Sequence, residues 1–303
     1  MRNKKNNNLV SIIIISYNNL QYLTETIDSV LKQDYSDIEL IIGDDGTKKF
    51  DLQGYEEYVN KFKKGNIKSF KIYTNHINIG IVKNLNKALK MCNGEYIKII
   101  AGDDVFFNEF VISKMISYME EKKINILLTN TLYCDINMNE LEDINSEQSK
   151  SKYILKDGEN PPEFFKWLAL TNRIPAPGVM FKKYIFEEYG EFDERYRLLD
   201  DWPMWLKLSR NGCKIYYLDI VSVKYRYNIG VSTNSNIYFL QDLEKCIEED
   251  ILPYKKQLGN KIHKRIKYRF IKKYKLNQYN YLEKIIFYIC NLNMIIREYI
   301  KRT

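Results

Sequence analysis

Two adjacent aspartates, Asp103 and Asp104, are the first candidates for chemistry in this sequence. They follow residues 96–100, a short run of β-branched and aromatic residues that is typical of a buried strand. Ligands of open α/β sheets bind at the carboxyl ends of the strands, where two neighbouring acids repel each other unless a cation or hydrogen-bond donors satisfy them. Because Mg²⁺ and Mn²⁺ take oxygen ligands and bridge readily to phosphate, the pair indicates a metal–diphosphate site. The alternative is a solvated turn that caps a helix starting near Asn108.

Polar residues also follow two other predicted strands. Residues 9–16 form a nearly continuous apolar run that predicts a buried parallel strand, and Tyr17 begins the loop after it. Residues 38–42 predict a second strand, which Asp44 and Asp45 follow. Parallel strands bring their carboxyl ends to one edge of a sheet, so we expect these residues to lie near the first acid pair. The first strand is not followed by a GxGxxG or GxxxxGK[ST] motif, which disfavours a dinucleotide site and a P-loop.

The apolar periodicity of the chain predicts the elements that carry these residues. Helices are predicted at 20–31, 80–93, 111–119, 161–170 and 202–210, and further strands at 67–73, 124–128, 131–136, 214–218 and 221–227. The strands at 124–136 suggest a hairpin, and the polar stretch 137–151 suggests a loop or lid. Alternation of strands and helices up to residue 100 predicts a parallel sheet with helices on both faces.

Length and composition restrict the class of protein. With 303 residues, 45% apolar and 14% aromatic, the chain fits one large folded domain, or one domain with an appendage. The five cysteines are scattered without a CxxC pair, which argues against a disulfide framework or a zinc site and fits a reducing cytoplasm. The apolar run 9–15 is too short for a signal-peptide core or a membrane span. We therefore expect a cytoplasmic protein.

The positive charge is concentrated at the end of the chain. Residues 237–303 hold 15 Lys and Arg against 7 Asp and Glu, whereas the rest of the chain is neutral. Ten basic residues between 255 and 275 are interleaved with aromatic and aliphatic ones, which predicts an amphipathic helix. Such helices bind anionic membranes, so we expect 255–303 to dock at the inner face of the cell membrane and expect no nucleic-acid partner. The alternative is helices that pack on the rest of the chain or on a second copy in a homo-oligomer.

Five segments, taken in order, make the chain resemble the family 2 glycosyltransferases, bacterial enzymes of the GT-A fold. They are VSIIIISYNN, IELIIGDDGT, NIGIVKNLNKAL, NGEYIKIIAGDD and GEFDERYRLLDDWPMWLKL, and the resemblance covers about residues 8–230. It implies a Rossmann-like, mostly parallel α/β sheet with helices on both faces. The GT-A catalytic domain is expected at 1–236, with a nucleotide-sugar half at about 8–105 and an acceptor half at about 106–236, before a basic helical region at 237–303. The implied activity is metal-dependent, inverting transfer of a sugar from a nucleotide sugar, with a UDP-sugar favoured, to a glycan or lipid-linked saccharide in surface polysaccharide synthesis.

The resemblance assigns the donor side to residues at the strand ends. Tyr17 is expected to pack on the uracil base and Asp45 to accept the uracil N3–H, while Asp44 is the structural member of its pair. Asp103 is expected to hold the ribose, and Asp104 to bind Mn²⁺ or Mg²⁺, which neutralises the diphosphate leaving group. Each residue also has a plainer interpretation as an ordinary turn or loop residue.

The resemblance assigns the acceptor side to Asp201, as general base for the acceptor hydroxyl, with Asp200 in support. Asp201 also suits a helix N-cap, and one residue can serve both purposes. Lys83 and Asn84 are candidates to face the donor, with a solvated helix face as the alternative. Arg226 is expected either in a loop that closes over the diphosphate or as a surface charge on a strand.

Two positions depart from the family pattern. Ala101 stands where a further Asp is common, and Asn228 stands where His is common. We interpret Ala101 as leaving fewer acidic groups for metal binding without abolishing it, and we assign no metal ligand at Asn228.

Two other function classes remain as alternatives. A nucleotidyltransferase also uses a nucleotide, a metal and paired acids, but it is expected to have a loop rich in glycine and basic residues after the first strand, which SYNNL lacks. A non-catalytic scaffold, or a nucleic-acid-binding protein acting through its tail, is expected to have lost Asp104 or Asp201, and both are present.

Overall fold

The computed structural model describes residues 8–142, 161–230 and 236–300, and a mixed sheet of eight strands lies at the centre of this described part. The strands are β1 (Val10–Ser16), β2 (Ile38–Asp44), β3 (Ile67–Thr74), β4 (Tyr96–Ala101), β5 (Val105–Phe106), β6 (Ile126–Cys134), β7 (Val179–Lys182) and β8 (Tyr216–Arg226). Their order across the sheet is β3-β2-β1-β4-β7-β6-β8-β5.

The first four strands form the parallel half of the sheet, which confirms the prediction. β1 pairs in parallel with both β2 and β4, and β2 pairs in parallel with β3. In this register Ile14 lies beside Ile42 and Ile100, and all three are buried because helices cover both faces of the sheet. The same register sets Ser16 beside Asp44, so the polar residues after these strands meet at one edge.

The second half of the sheet corrects two predictions. Residues 126–134 form one strand, β6, where a hairpin was expected, and residues 216–226 form one strand, β8, where two were expected. Thr129 and Asn130 of β6 and Asp219 of β8 interrupt the apolar pattern, but they are hydrogen-bonded to each other's strand or to the turn before β7. Thr129 Oγ1 donates to Gly178 O at 2.8 Å, and Asn130 Nδ2 donates to Asp219 Oδ1 at 2.8 Å. Because these polar groups have partners, the strands continue through them with only register shifts near Asn130.

Helices cover both faces of the sheet. They are α1 (Leu20–Leu31), α2 (Leu52–Phe62), α3 (Ile81–Lys90), α4 (Val111–Lys122), α5 (Pro161–Leu170), α6 (Tyr184–Tyr189) and α7 (Asp201–Arg210). One hydrophobic core contains residues of α1, α2 and α4, and the other contains residues of α3, α5 and α7. The five predicted helices are confirmed, whereas α2 was missed because Val59 is its single buried residue and leaves little apolar periodicity. The predicted loop at 137–151 lies outside the described residues beyond Glu142.

The basic C-terminal region is helical. Its helices are α8 (Ile237–Lys245), α9 (Lys255–Phe270), α10 (Tyr281–Cys290) and α11 (Leu292–Ile300). Leu258 and Ile266 belong to the core shared by α5 and α7, and Ile262 packs against it, so part of the apolar stripe predicted at 255–275 packs on the sheet domain. Large exposed apolar side chains are concentrated instead on α10 and the start of α11. No helix among the described residues is long and apolar enough to cross a membrane.

Candidate active site

Asp44, the last residue of β2, meets hydrogen-bond donors through one oxygen, while its other oxygen, Oδ1, is buried without a partner among the described residues. The side chain is fully buried. Its Oδ2 accepts hydrogen bonds from Gly46 N at 3.0 Å, Thr47 N at 2.8 Å and Thr74 Oγ1 at 2.7 Å. These bonds close the turn after β2 and fasten it to the end of β3. Because Asp44 is buried and joins the turn after β2 to β3, its contacts suit a structural role.

Asp45 is held by the loop that precedes α3. Its side chain is 2% exposed. It accepts hydrogen bonds from Asn75 Nδ2 at 2.9 Å, Ile79 N at 2.9 Å and Gly80 N at 2.8 Å. A carboxylate has about four acceptor positions, so three donors fix its orientation and leave capacity for one more bond. The carboxylate is thus fixed at the edge of the sheet where a nucleotide base is expected.

Asn84 and Lys83, the candidate donor residues on α3, have opposite environments. Asn84 is fully buried; its Nδ2 donates to Gly43 O at 2.9 Å, and its Oδ1 accepts from Asn75 Nδ2 at 3.0 Å. Since Asn75 also donates to Asp45, Asn84 holds Asn75 in place for that carboxylate, and its own side chain does not reach the protein surface. Lys83 is exposed on the helix surface.

Tyr17 lies in the loop after β1, and 39% of its surface is exposed. The loop itself is held in place: Asn18 adopts a left-handed φ of 54°, and its backbone N donates to Thr47 Oγ1 at 2.8 Å. Asparagine tolerates this conformation better than most residues do. Tyr17 therefore presents an accessible ring beside the turn that carries Asp45.

The acid pair Asp103 and Asp104 connects β4 to β5. Asp104 is fully buried; its Oδ1 accepts from Arg226 N at 3.0 Å, and its main-chain O accepts from Thr26 Oγ1 at 2.7 Å. Its Oδ2 is also buried, and it has no hydrogen-bond partner among the described residues. A buried carboxylate oxygen without a partner is costly, and a cation is one group that would satisfy it.

The electrostatics of this pair agree with a cation site. Burial raises the pKa of Asp103, and burial together with the Asp103 charge raises the pKa of Asp104 well above its usual range. Within the described ranges, no group of three or more His, Cys, Asp or Glu side chains gathers in a metal-binding arrangement. Mg²⁺ is commonly bound by one or two carboxylates with water and substrate phosphate as the other ligands. The two acids therefore fit the predicted Mg²⁺ or Mn²⁺.

Arg226 lies at the end of β8 and is 3% exposed, so it is neither in a loop nor on the strand surface. Its Nε donates to Asp103 O at 3.0 Å, and its Nη2 donates to Glu25 Oε2 at 2.7 Å. The guanidinium carbon also stands 4.0 Å from the centre of the Tyr22 ring. These contacts hold the side chain next to the acid pair, where its positive charge favours the ionised form of both carboxylates. Contact with a diphosphate remains a prediction.

Lys98 is a buried cation on β4 that sequence reasoning missed. Its Nζ donates to Ile99 O at 3.1 Å and to Pro177 O. Burial lowers the pKa of Lys98 to about 7, and the Asp104 charge acts in the opposite direction. A lysine within a predicted strand would ordinarily be assigned to the solvent side, and the sequence contains no signal of the distant Pro177 carbonyl.

Asp201, the proposed base, is the first residue of α7. Its Oδ2 accepts from Asn172 Nδ2 at 2.7 Å, and its Oδ1 accepts from Trp202 N at 2.6 Å. Asp200 occupies the N-cap position, so the capping position considered for Asp201 is wrong. Burial raises the pKa of both acids, and with the Asp201 charge it brings the pKa of Asp200 to about 7. The raised pKa of Asp201 makes its carboxylate a stronger proton acceptor.

Arg197 joins the two halves of the site. Its Nη2 donates to Asn78 O at 3.1 Å and to Asn78 Oδ1 at 2.5 Å, while its main-chain O accepts from Val82 N at 3.3 Å. Gly80 has a φ of 94°, and a Cβ there would lie 2.7 Å from the Arg197 O, which explains the glycine. The structure thus packs the loop that holds Asp45 against the segment that leads into α7.

Comparison with known proteins gives a family and curated relatives. Residues 11–190 match the family described as Glycosyl transferase family 2. A Haemophilus influenzae protein named as an uncharacterized glycosyltransferase is 28% identical over 254 residues, which cover 83% of this chain and 76% of that protein. The Escherichia coli protein WfaP, named UDP-Glc:alpha-D-GlcNAc-diphosphoundecaprenol beta-1,3-glucosyltransferase, is 28% identical over 260 residues, which cover 85% of this chain and 90% of WfaP.

Solved structures establish the fold as GT-A-like. Staphylococcus aureus TarS 1-349 in complex with UDP-GlcNAc aligns with a TM-score of 0.63 and 20% identity over 89% of this chain and 74% of that one. The mannosyltransferase PcManGT from Pyrobaculum calidifontis, in complex with GDP-Man and Mn²⁺, aligns with a TM-score of 0.57 and 15% identity over 85% of this chain and 67% of that one. The chain spans 44% of another, longer TarS chain.

Proposed function

We propose a reaction for this glycosyltransferase, which belongs to Glycosyl transferase family 2: transfer of a sugar from a UDP-sugar to a hydroxyl of a glycan or lipid-linked saccharide, with inversion at the anomeric carbon. The observation that carries the proposal is the packing of two acidic segments around Arg197. On one side lies the loop that holds Asp45, and on the other lies the start of α7 with Asp201. This packing brings the segment proposed to bind the nucleotide base and the segment proposed to carry the general base into one region of the molecule.

The donor side is proposed to bind uridine diphosphate. The exposed ring of Tyr17 offers a stacking surface, and the fixed carboxylate of Asp45 has capacity to accept the uracil N3–H. The names of WfaP and of the TarS complex, which include UDP-Glc and UDP-GlcNAc, support uridine as the base. The guanosine donor of PcManGT makes GDP-sugars the necessary comparison in any binding experiment.

Asp104 is proposed to bind a divalent cation, and its neighbour Asp103 is proposed to bind the ribose of the donor. When bound, the cation supplies charge neutralisation to the diphosphate that leaves. The residue expected to contact it is Asp104, through the buried Oδ2 that has no partner among the described residues. Asp103 is then free to accept from the ribose, while Arg226 supports the pair from behind.

Asp201 is proposed to act as the general base. The proton of the acceptor hydroxyl moves to a carboxylate oxygen of Asp201 while the acceptor oxygen forms its bond to the anomeric carbon. The bond from that carbon to the diphosphate oxygen breaks, and the diphosphate keeps the electron pair. Asn172 and the Trp202 N–H hold the carboxylate in place. One displacement with one base inverts the configuration at the anomeric carbon.

The transfer reaction can be tested by incubating the protein with UDP-glucose, UDP-GlcNAc or GDP-mannose, with Mn²⁺ and a diphosphoundecaprenol-linked saccharide or a short-chain analogue. We expect UDP release that depends on the acceptor, and a β-linked product from an α-linked donor by NMR. Asp201→Asn is the matched inactive control. A product that keeps the donor configuration, or transfer that persists in Asp201→Asn, would contradict the mechanism.

A membrane surface is proposed for α10 and α11. Exposed apolar residues recur on one side of α10, and Tyr281, Leu282 and Ile289 are 81%, 66% and 69% exposed. The ten basic residues between 255 and 275 precede this face, a combination that binds the interface of anionic bilayers. Such docking would place the site near a lipid-linked acceptor at the inner face of the cell membrane.

Vesicle sedimentation tests this surface. We expect the protein to pellet with vesicles that contain phosphatidylglycerol more than with pure phosphatidylcholine, and Ile286→Asp with Ile289→Asp to abolish the difference. Phe62→Asp, at an exposed aromatic residue of α2, is the control that keeps binding. Equal recovery with both vesicle types, or a dimer in solution that the α10 substitutions dissociate, would refute membrane docking, the latter in favour of a second copy of the chain.

A further inference from the structure

Asp242 on α8 binds the backbone of the segment that leads to the proposed base. Its side chain is 6% exposed. One oxygen, Oδ2, accepts hydrogen bonds from three successive backbone N–H groups: Arg197 at 2.9 Å, Leu198 at 2.6 Å and Leu199 at 3.1 Å. Successive N–H groups that converge in this way form a concave binding place for an anion, which the Asp242 carboxylate fills.

This turn has no other regular source of hydrogen bonds. Residues 197–199 belong to no helix or strand, so their N–H groups depend on the carboxylate of Asp242. On the opposite side, the Arg197 O accepts from Val82 N, and the Arg197 guanidinium binds Asn78. The turn is therefore held between α8 and the beginning of α3. The next residues are Asp200 and Asp201, so the turn sets where α7 begins.

We propose that Asp242 is a positioning residue for glycosyl transfer: it fixes the 197–199 turn and thereby the place of the Asp201 carboxylate relative to the donor loop. The inference rests on the proposed function for its effect on rate. It assigns to the C-terminal region, beyond the residues 11–190 that match the family, a part in catalysis in addition to any docking at a membrane.

Asp250 provides a matched control in the same region. It is 7% exposed, and its Oδ2 accepts from Tyr196 Oη at 2.5 Å while its Oδ1 accepts from Arg210 Nη2 at 3.2 Å. Asp250 thus fastens side chains on either side of the segment but does not bind the backbone of 197–199. Loss of Asp250 should lower stability in the way that any buried carboxylate does, without displacing Asp201.

The test compares Asp242→Ala, Asp242→Asn and Asp250→Asn by UDP release from UDP-glucose or UDP-GlcNAc with Mn²⁺ and the diphosphoundecaprenol-linked saccharide or its short-chain analogue. We expect Asp242→Ala to lower kcat about 100-fold, the effect of a displacement of about 1 Å, with KM for the donor within about twofold. Asp242→Asn keeps an oxygen acceptor without the charge, so its kcat should be about tenfold higher than that of Asp242→Ala. It should stay below the wild-type kcat, because charge-assisted hydrogen bonds are roughly twice as strong as neutral ones. Asp250→Asn should lower the Tm and keep kcat.

Amide hydrogen exchange supplies a second readout that does not depend on the reaction. We expect the amides of residues 197–199 to exchange faster in both Asp242 variants, while those of α3 keep their protection. Wild-type kcat in either Asp242 variant, or an equal loss of kcat in Asp250→Asn, would overturn the positioning role. If the wild-type protein releases no UDP from any UDP-sugar, the proposed function fails. The hydrogen-exchange experiment then still tests the inference, because unchanged exchange at 197–199 in Asp242→Asn would show that Asp242 does not fix the turn.

Discussion

The Asp103–Asp104 pair on the donor side and the Asp200–Asp201 pair on the acceptor side have the same residues and different surroundings. Asp104 is fully buried and keeps one oxygen without a partner among the described residues, with Arg226 behind it. Asp201 is partly exposed at the start of a helix, and each of its oxygens accepts a hydrogen bond. The first environment suits a bound cation and the second suits a group that exchanges a proton with a substrate.

A third pair, Asp44–Asp45, extends the comparison to a position where no reaction is expected. Each of these carboxylates accepts three hydrogen bonds from the protein, so both are fixed, although Asp44 Oδ1, like Asp104 Oδ2, is buried without a partner among the described residues. An oxygen without a partner therefore does not by itself mark a metal ligand; in the proposed assignments, Asp104 differs from Asp44 in accepting one side-chain hydrogen bond instead of three and in its raised pKa.

The largest difference is expected within the acceptor pair. Asp201→Asn removes the proposed base and should lower kcat about 1,000-fold, within the usual range for loss of general base catalysis, without weakening UDP binding. Asp200→Asn, at the adjacent acid, should keep kcat within about tenfold because its carboxylate only supports the first. Steady-state UDP release measures both. Equal losses of kcat in the two variants would contradict the assignment of Asp201 as the base and Asp200 as its supporting residue.

Substitution of the structural acid should affect folding more than binding. Asp44→Ala leaves three donors without their acceptor and should lower the free energy of unfolding by about 3 kcal/mol. The control is Asp51→Ala, which removes an exposed N-cap that accepts from Gly54 N at 2.9 Å and should cost about 1 kcal/mol. Urea unfolding measures both values. A cost for Asp44→Ala no greater than that of the control would contradict its structural role.

The last difference is a pH dependence of stability. Folding raises the pKa of Asp200 to about 7 from about 4 in the unfolded chain, so the native state binds more protons between these values. The free energy of unfolding should therefore fall as pH rises from about 4 to about 7. Asp200→Asn removes this titration, so it should flatten that part of the curve and stabilise the protein at about pH 7.5. An unchanged slope in urea unfolding from pH 5 to pH 8 would contradict the raised pKa.

Local pattern predicted the parallel half of the fold well. The apolar runs that became β1, β2 and β4 are buried throughout most of their length, so composition alone indicates them, whereas β3 is buried only at Ile67. The assignment of Asp44 as the structural acid agrees with its three donors, because a turn that ends in Gly46 and Thr47 is readable from adjacent residues.

Contacts between distant residues were not predictable. Arg226 binds Glu25 and Asp103. Lys98 binds the Pro177 carbonyl, and Asp242 binds the 197–199 turn. In each case the two partners lie far apart in sequence. The continuity of β6 and β8 was missed for the same reason, because the partners of Thr129 and Asn130 come from parts of the chain distant in sequence. The role of the C-terminal region likewise became visible only from its packing on the sheet domain.

The separation of binding from chemistry can be measured most directly by a thermal-shift titration with UDP, GDP and ADP, each with and without Mn²⁺. The proteins to compare are the wild type, Asp104→Asn and Asp201→Asn. A ligand at about a hundred times its dissociation constant adds about 2.7 kcal/mol of stability, which is readily detected. We expect UDP with Mn²⁺ to stabilise the wild type and Asp201→Asn equally, and Asp104→Asn to lose the Mn²⁺-dependent part. No stabilisation of the folded wild type by any nucleotide, or an equal loss in Asp201→Asn, would contradict the division of the two acid pairs into a donor site and a base.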